Sequence, residues 1–176
     1  MSEKIISVDA ETNGLWGQPF AVAFIVYDSA SGTELDRATF RCPIEGDVNS
    51  WVESNVLPEM GAIEMTHSSY EEMLMAIGQW WLSNKEGAIA LWHMGHIVET
   101  HLYRELHRVG AIGDWDAPYT PIELSVLLES AGYPADSVDG YVAKKGLSLP
   151  NFKGGTHNPL YDAAAAASVY FDLKSK

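Results

Sequence analysis

The sequence predicts an α/β fold in which a mixed central sheet, antiparallel on its N-terminal side, is flanked by helices. Three runs rich in β-branched and aromatic residues open the chain, at residues 4–11, 20–27 and 34–41, and residues 28–32 predict a hairpin turn. Residues 87–92 form a later apolar run of strand character, whereas much of the remaining chain has helical periodicity. Strands and helices mixed in this way are typical of the α/β class.

Helices are predicted where capping residues precede a periodic or alanine-rich run. Ser68 and Ser69 each have a glutamate three residues later, which makes two overlapping capping boxes. Apolar residues then follow at helical spacing and predict one buried face: Met73, Ile77, Trp80 and Trp81. Residues 121–131 predict another helix. Asn158 followed by Pro159 predicts the start of an alanine-rich helix near the C-terminus.

The composition is that of a single compact domain spanning residues 1–176. A chain of 176 residues that is 47% hydrophobic is long enough to bury one core. No apolar run approaches the roughly 20 residues of a membrane span, and the first residues lack the apolar core of a signal peptide, so we expect a cytoplasmic protein. Cys42 is the one cysteine, which excludes an intrachain disulfide and a cysteine-based zinc site.

Two acidic residues end the first predicted strand. Asp9 and Glu11 are two positions apart, so their side chains point the same way. Two ionised carboxylates on one face repel each other, and the arrangement is costly unless protons or cations neutralise it. Hard divalent cations such as Mg²⁺ and Mn²⁺ prefer oxygen ligands of this kind. The pattern therefore predicts a cation site, and the alternative is a strand that ends at a solvated acidic turn.

A second group of polar residues surrounds the start of the last predicted helix. Asp162 lies about one turn inside this helix, and His157 lies just before it. A histidine on the loop and a carboxylate on the first turn can converge on one point, and a neutral imidazole can accept a proton from water near pH 7. The alternative is a surface histidine beside an acidic first turn that complements the helix dipole.

The two groups together, with the spacings Asp-x-Glu-x-x-Gly-Leu and His-x4-Asp-Ala, resemble the motifs of the DEDDh exonucleases, a family of the DnaQ-like, RNase-H-fold superfamily. The middle motif of that family is an aspartate on a helix after a core strand, and Glu99 occupies its position here. The additional methylene of glutamate would shift a ligand by roughly 1.5 Å, which can cost about a hundredfold in rate. An alternative, zinc ligation by His93, His96 and Glu99, is disfavoured because their spacing does not place all three on one side of a helix or strand.

The resemblance implies an RNase-H-like fold and a 3′–5′ exonuclease that uses two divalent cations, Mg²⁺ or Mn²⁺. Asp9 would bridge both ions, and Glu11 and Asp162 would complete the coordination of the first. Glu99 would support the second ion, and His157 would be the general base. The products would be nucleoside 5′-monophosphates released from the 3′ end.

The resemblance also implies contacts with the substrate. Thr12, Asn13 and Leu15 would pack against the 3′-terminal nucleotide. Trp16 either stacks on a base, a contact worth about 1–3 kcal/mol, or is an ordinary core or turn tryptophan. Lys153, in a basic stretch that contains glycine, either neutralises phosphates or lies in a solvated loop.

Charge and length restrict the substrate further. The net charge of −13, from 24 acidic and 11 basic residues, leaves few basic residues for a broad face that could follow long duplex DNA. Single-stranded RNA or DNA 3′ ends and short oligonucleotides are the expected partners, with RNA ahead of DNA because Leu91-Trp92 and the short chain resemble bacterial and phage exoribonucleases. Dimerisation is common in that family, so a homodimer is possible. The alternatives are a proofreading-type DNA exonuclease, a catalytically weak nucleotide-end-binding protein and a structural interaction protein.

Overall fold

The computed structural model describes residues 3–150, 152 and 155–175. The strands of this part of the chain are β1 (Lys4–Thr12), β2 (Pro19–Asp28), β3 (Glu34–Arg41), β4 (Ala88–Trp92) and β5 (Ile122–Glu123). The helices are α1 (Ser50–Asn55), α2 (Tyr70–Asn84), α3 (Val98–Arg108), α4 (Leu124–Ser130), α5 (Val138–Lys145) and α6 (Pro159–Lys174), and a 3₁₀ helix covers Glu59–Ala62.

The strands form one mixed sheet in the order β3-β2-β1-β4-β5. β1, β2 and β3 are antiparallel neighbours, whereas β4 is parallel to β1 and β5 is parallel to β4. The predicted hairpin turn joins β2 to β3. There, the Asp28 carboxylate accepts hydrogen bonds from the N–H groups of Ala30 and Ser31, and Gly32 has a positive φ of 68°. The predicted α/β class and the antiparallel N-terminal strands are confirmed.

Strand β1 lies in the middle of the sheet and separates two apolar clusters. Ile6 and Val8 face a cluster that includes residues of α2 and α3, whereas Ile5 faces a cluster formed largely by α6. Ser7 lies on the α6 face, where its hydroxyl donates a hydrogen bond to the Ala163 carbonyl at 2.7 Å. The small alanine side chains of α6 allow this close approach. Because strand side chains alternate, the residues two and four beyond Ser7 continue the same face toward the end of β1.

The prediction of a helix over residues 121–131 is wrong at its start. Ile122 and Glu123 form a short parallel strand, in which Ile122 pairs with Leu91 and Glu123 with Trp92, and the helix begins at Leu124. Local propensity favours a helix here, but pairing with the free edge of β4 prevails. Within the described residues, no helix has both the length and the apolar character that crossing a membrane requires.

Candidate active site

Three carboxylates from distant parts of the chain converge where β1 ends. Asp9 and Glu11 lie on β1, and Asp162 lies in the first turn of α6. One carboxylate oxygen from each residue lies within 4.8 Å of those from the other two. Within the described part of the chain, this is the one group of histidine, cysteine, aspartate and glutamate side chains close enough to share a metal ion. The structure thus brings together three of the predicted ligands.

The capping of α6 fixes the third carboxylate. Asn158 is the N-cap of α6, its side chain accepts a hydrogen bond from the Leu160 N–H, and Pro159 follows as the first helical residue. The Asp162 N–H donates to the Asn158 carbonyl at 3.0 Å. This start of the helix places the Asp162 carboxylate beside β1, because α6 packs against β1 through Ser7.

The electrostatics of the cluster favour neutralisation by a cation. Burial, and then the charges of Asp162, Glu11 and Glu99, raise the pKa of Asp9 well above its usual value. Burial and the charge of Glu11 raise the pKa of Asp162 to about 7. Burial also raises the pKa of Glu11. A donor set made only of carboxylate oxygens fits a hard divalent cation, so the residues present fit the predicted Mg²⁺ or Mn²⁺.

The metal-free protein is expected to lose stability as the pH rises from about 5 to about 8. The pKa of Asp162 is raised to about 7 and that of Glu99 to about 8 in the folded state. Carboxyl groups of the unfolded chain titrate near pH 4, so the folded state holds these protons more tightly. The resulting stabilisation is complete below about pH 4 and is lost as the pH passes through the folded-state pKa values.

Thermal unfolding in EDTA at several pH values between about 5 and 8.5 measures this loss. Adding Mn²⁺ at the highest pH should restore the melting temperature, because a cation bound only by the folded state stabilises it. A melting temperature in EDTA that stays level or rises over this range would contradict the electrostatic reading of the cluster.

His157 lies at the edge of the acidic cluster. Its Nδ1 is 3.6 Å from Glu11 Oε1, and its backbone N–H donates to Asp162 Oδ2 at 2.8 Å. Its φ of 71° is in the left-handed region, which is unusual for a residue other than glycine. The interaction with the Glu11 carboxylate is the main cause of a raised His157 pKa, although partial burial opposes it. The predicted general base is therefore in contact with two of the predicted ligands.

The indole of Trp51 packs on the His157 imidazole from the side of α1. The ring centroids are 5.3 Å apart and the rings are nearly perpendicular, at 88°. Trp51 is half exposed, so one side of the indole remains open to solvent. Trp51 is not among the predicted site residues. No spacing signal could reveal the contact, because the two residues are over 100 positions apart.

Glu99 is buried beside the cluster but outside the group of three. Its side chain is 3% exposed, and its Oε1 accepts a hydrogen bond from the Ala10 N–H at 3.1 Å. Burial is the main cause that raises its pKa to about 8, and the charges of Glu11 and Glu123 add to the rise. Ligation of a second ion by Glu99 stays a prediction.

The loop between β4 and α3 is held by a residue that sequence reasoning missed. Glu123 accepts hydrogen bonds from the N–H groups of Met94 at 2.7 Å and Gly95 at 3.1 Å. The His93 Nε2 lies 2.8 Å from the Ala135 carbonyl oxygen. His93, His96 and Glu99 are all described, yet they do not form a close group, so the zinc alternative has no support in the geometry.

Four of the five predicted substrate-binding residues are the last residue of β1 or follow it closely. Thr12 is buried, whereas Leu15 and Trp16 are 55% and 68% exposed. The Asn13 side chain is occupied within the protein, because its Oδ1 accepts from the Asn49 N–H at 2.8 Å and its Nδ2 donates to the Asp47 carbonyl at 2.9 Å. These bonds tie the loop after β1 to the start of α1. Lys153 lies outside the described residues.

The comparisons with known proteins concern the fold. No family model matches the sequence, and no curated protein matches it. The product-bound structure of exonuclease I superposes on 100% of this chain with a TM-score of 0.69 and 13% identity, but the match covers only 44% of that chain. This chain therefore spans less than half the length of exonuclease I.

Two other solved structures match over most of both chains. Exonuclease X in complex with 5′-overhanging duplex DNA has a TM-score of 0.63 and 16% identity, over 98% of this chain and 90% of its own. A 3′-exonuclease described for 3′-end-specific recognition of the histone mRNA stem-loop has a TM-score of 0.69 and 10% identity, over 99% and 82%. At such identities the likeness establishes the fold alone, and the predicted RNase-H-like fold is confirmed.

Proposed function

We propose that this protein is a metal-dependent 3′–5′ exonuclease that acts on single-stranded or short nucleic acids, with RNA preferred over DNA. The observation that carries the proposal is the meeting of Asp9, Glu11 and Asp162 within 4.8 Å, with His157 3.6 Å from Glu11. The likeness to structures of exonucleases bound to DNA or described with an mRNA 3′ end supports the same activity. The products would be nucleoside 5′-monophosphates.

The chemistry assigns a separate task to each side chain. Divalent cations, two in the proposed mechanism, would supply an activated water and stabilise negative charge on the attacked phosphate. The carboxylates of Asp9, Glu11 and Asp162 would hold the first ion. Asp9 would also help to hold the second ion. Because His157 directs Nδ1 toward Glu11, its Nε2 is the ring nitrogen that would take the proton from the attacking water.

The loop that follows β1 would determine that hydrolysis begins at the 3′ end of the strand. Leu15 and Trp16 are large apolar side chains that stay exposed although they follow directly after the acidic strand end. Exposed aromatic and aliphatic groups beside a phosphate-hydrolysing site can hold an unpaired base by stacking. We infer that these two residues contact the 3′-terminal nucleotide and so place its phosphodiester over the carboxylates.

Replacing Trp16 by alanine is expected to raise KM for a short oligonucleotide about 5- to 150-fold, the equivalent of the 1–3 kcal/mol of one stacking contact. The value of kcat should change much less, because Trp16 touches no predicted ligand. Trp115 is the matched control, since it is 85% exposed and lies on a different loop. Steady-state kinetics of Trp16→Ala and Trp115→Ala measure the difference, and equal KM values for both variants would remove Trp16 from the substrate site.

The activity itself is tested with matched 5′-labelled single-stranded RNA and DNA in Mn²⁺, Mg²⁺ or EDTA. A ladder that shortens from the 3′ end only with a divalent cation is expected, and the faster strand identifies the preferred sugar. Faster cleavage of DNA would support the proofreading-type alternative. Absence of cleavage by the metal-loaded protein would overturn the proposal of exonuclease activity.

A second candidate is a nucleotide-end-binding protein with little catalytic power. The observation that favours it is the position of Glu99, which lies outside the group of three carboxylates. Such a protein would bind one cation through Asp9, Glu11 and Asp162 and would bind oligonucleotide 3′ ends without hydrolysis. Binding of a 3′-terminal oligonucleotide in the absence of any shortening would identify it.

A further inference from the structure

Strand β1 extends past the end of its parallel neighbour. The pairing of β1 with β4 reaches Ser7 and Leu91, and β4 ends at Trp92. Ala10 therefore lies beyond the last paired residue of β1 on this side. A buried backbone N–H without an acceptor is costly, and here the acceptor is the carboxylate of Glu99 at 3.1 Å. The Glu99 side chain thus supplies the acceptor that a further residue of β4 would otherwise provide.

The packing around Glu99 fixes the position of this carboxylate. A Cβ atom on Gly95 would lie 2.8 Å from Glu99 Oε2 and 2.4 Å from Trp92 Cγ, so only glycine leaves enough room. Gly95 itself is held through its N–H by Glu123 at 3.1 Å. The reach of a glutamate, in a space kept open by glycine, places the acceptor at Ala10.

We propose that Glu99 is a positioning residue that acts through the backbone of β1 and does not itself bind the cation. By holding the Ala10 N–H, it sets the direction of the two neighbouring ligands, Asp9 and Glu11. The inference rests on the function proposed above. A positioning role explains why a glutamate stands where the DEDDh exonucleases have an aspartate. The shorter side chain of an aspartate would not reach the Ala10 N–H.

A positioning role and a ligand role of Glu99 predict opposite rankings of two variants by their loss of activity. Glu99→Gln keeps an oxygen acceptor at the same reach and loses the charge, whereas Glu99→Asp keeps the charge and shortens the side chain. A positioning role predicts that Glu99→Asp loses about a hundredfold in kcat, since the ligand geometry relaxes, and that Glu99→Gln loses less than about tenfold. A role as ligand predicts the greater loss for Glu99→Gln.

The positioning role also predicts effects that do not depend on activity. In the metal-free protein, the Ala10 amide proton should exchange at least about tenfold faster in Glu99→Asp than in wild type or Glu99→Gln, as measured by NMR. Titration with Mn²⁺ alone should show weaker binding by Glu99→Asp and near wild-type binding by Glu99→Gln. Glu105→Asp, on the same helix, is the control and should change neither quantity. Thermal unfolding confirms that each variant is folded.

The combined result decides the proposal. Faster Ala10 exchange and weaker Mn²⁺ binding in Glu99→Asp alone would support it. An unchanged Ala10 amide in both variants, or a greater loss of Mn²⁺ binding in Glu99→Gln, would overturn it. If wild type cleaves no oligonucleotide, the exonuclease proposal fails, but the amide exchange and the Mn²⁺ titration still test the role of Glu99.

Discussion

Asp9→Asn is expected to lose at least about a thousandfold in exonuclease activity, the equivalent of about 4 kcal/mol in transition-state stabilisation. Burial, together with the charges of three other carboxylates, raises the pKa of Asp9 well above its usual value. An amide of the same shape cannot supply the charge that a shared cation requires. Measurement of kcat/KM with Mn²⁺ on a labelled oligonucleotide checks this loss.

The same variant should make the metal-free protein more stable near pH 8. Removing the Asp9 charge relieves its repulsion with Asp162, Glu11 and Glu99. For a chain of this size, each gained kcal/mol would raise the melting temperature by roughly 2–4 °C. Loss of activity together with a gain in stability separates a functional charge from a structural one.

The matched control for Asp9→Asn is Asp114→Asn. The Asp114 carboxylate is 79% exposed and forms a salt bridge with His107, away from the cluster. This substitution should change neither activity nor the stability in EDTA. Wild-type activity in Asp9→Asn, or a lower melting temperature of the metal-free variant near pH 8, would contradict the account of the cluster.

His157→Ala is expected to lower kcat about 10²- to 10⁴-fold, the usual contribution of a general base. Mn²⁺ binding should be retained, because His157 does not belong to the group of three carboxylates. The variant also removes the contact of the imidazole with the Glu11 carboxylate. Single-turnover kinetics at saturating enzyme, together with a Mn²⁺ titration, separate the chemical step from binding.

His107→Ala provides the control for the loss of an imidazole. His107 is half exposed and pairs with Asp114 at 2.7 Å, on the last turn of α3. Its removal should leave the single-turnover rate unchanged. A His157→Ala variant that keeps the wild-type rate would exclude the imidazole as the base, and loss of Mn²⁺ binding would instead make it a ligand.

The sequence was sufficient to predict the residues that the fold brings together at the end of β1. Strand alternation places Asp9 and Glu11 on one face, and the Asn158 cap with Pro159 sets the turn on which Asp162 lies. Both signals are local. Their convergence depends on the packing of α6 against β1, which alternation and capping do not encode. The resemblance to a known family supplied that long-range step.

The features that could not be predicted all depend on contacts between distant segments. Ile122 and Glu123 become a strand only because β4 offers a free edge. The contact of Trp51 with His157 and the hydrogen bond of Glu99 with Ala10 join parts of the chain that share no pattern. In each case a neighbour supplied by the tertiary fold determines what the residue does, so local propensity gives no indication of it.

Asp9, Glu11 and Asp162 are proposed to form a divalent-cation site for hydrolysis at a 3′ end. The most direct test is a crystal structure with Mn²⁺ and a nucleoside 5′-monophosphate, in which anomalous scattering locates the ions. Two Mn²⁺ ions are expected beside Asp9, one of them bound by Glu11 and Asp162, with the phosphate in contact with both ions. A single ion would favour the nucleotide-end-binding protein, and the absence of Mn²⁺ from the three carboxylates would contradict the claim.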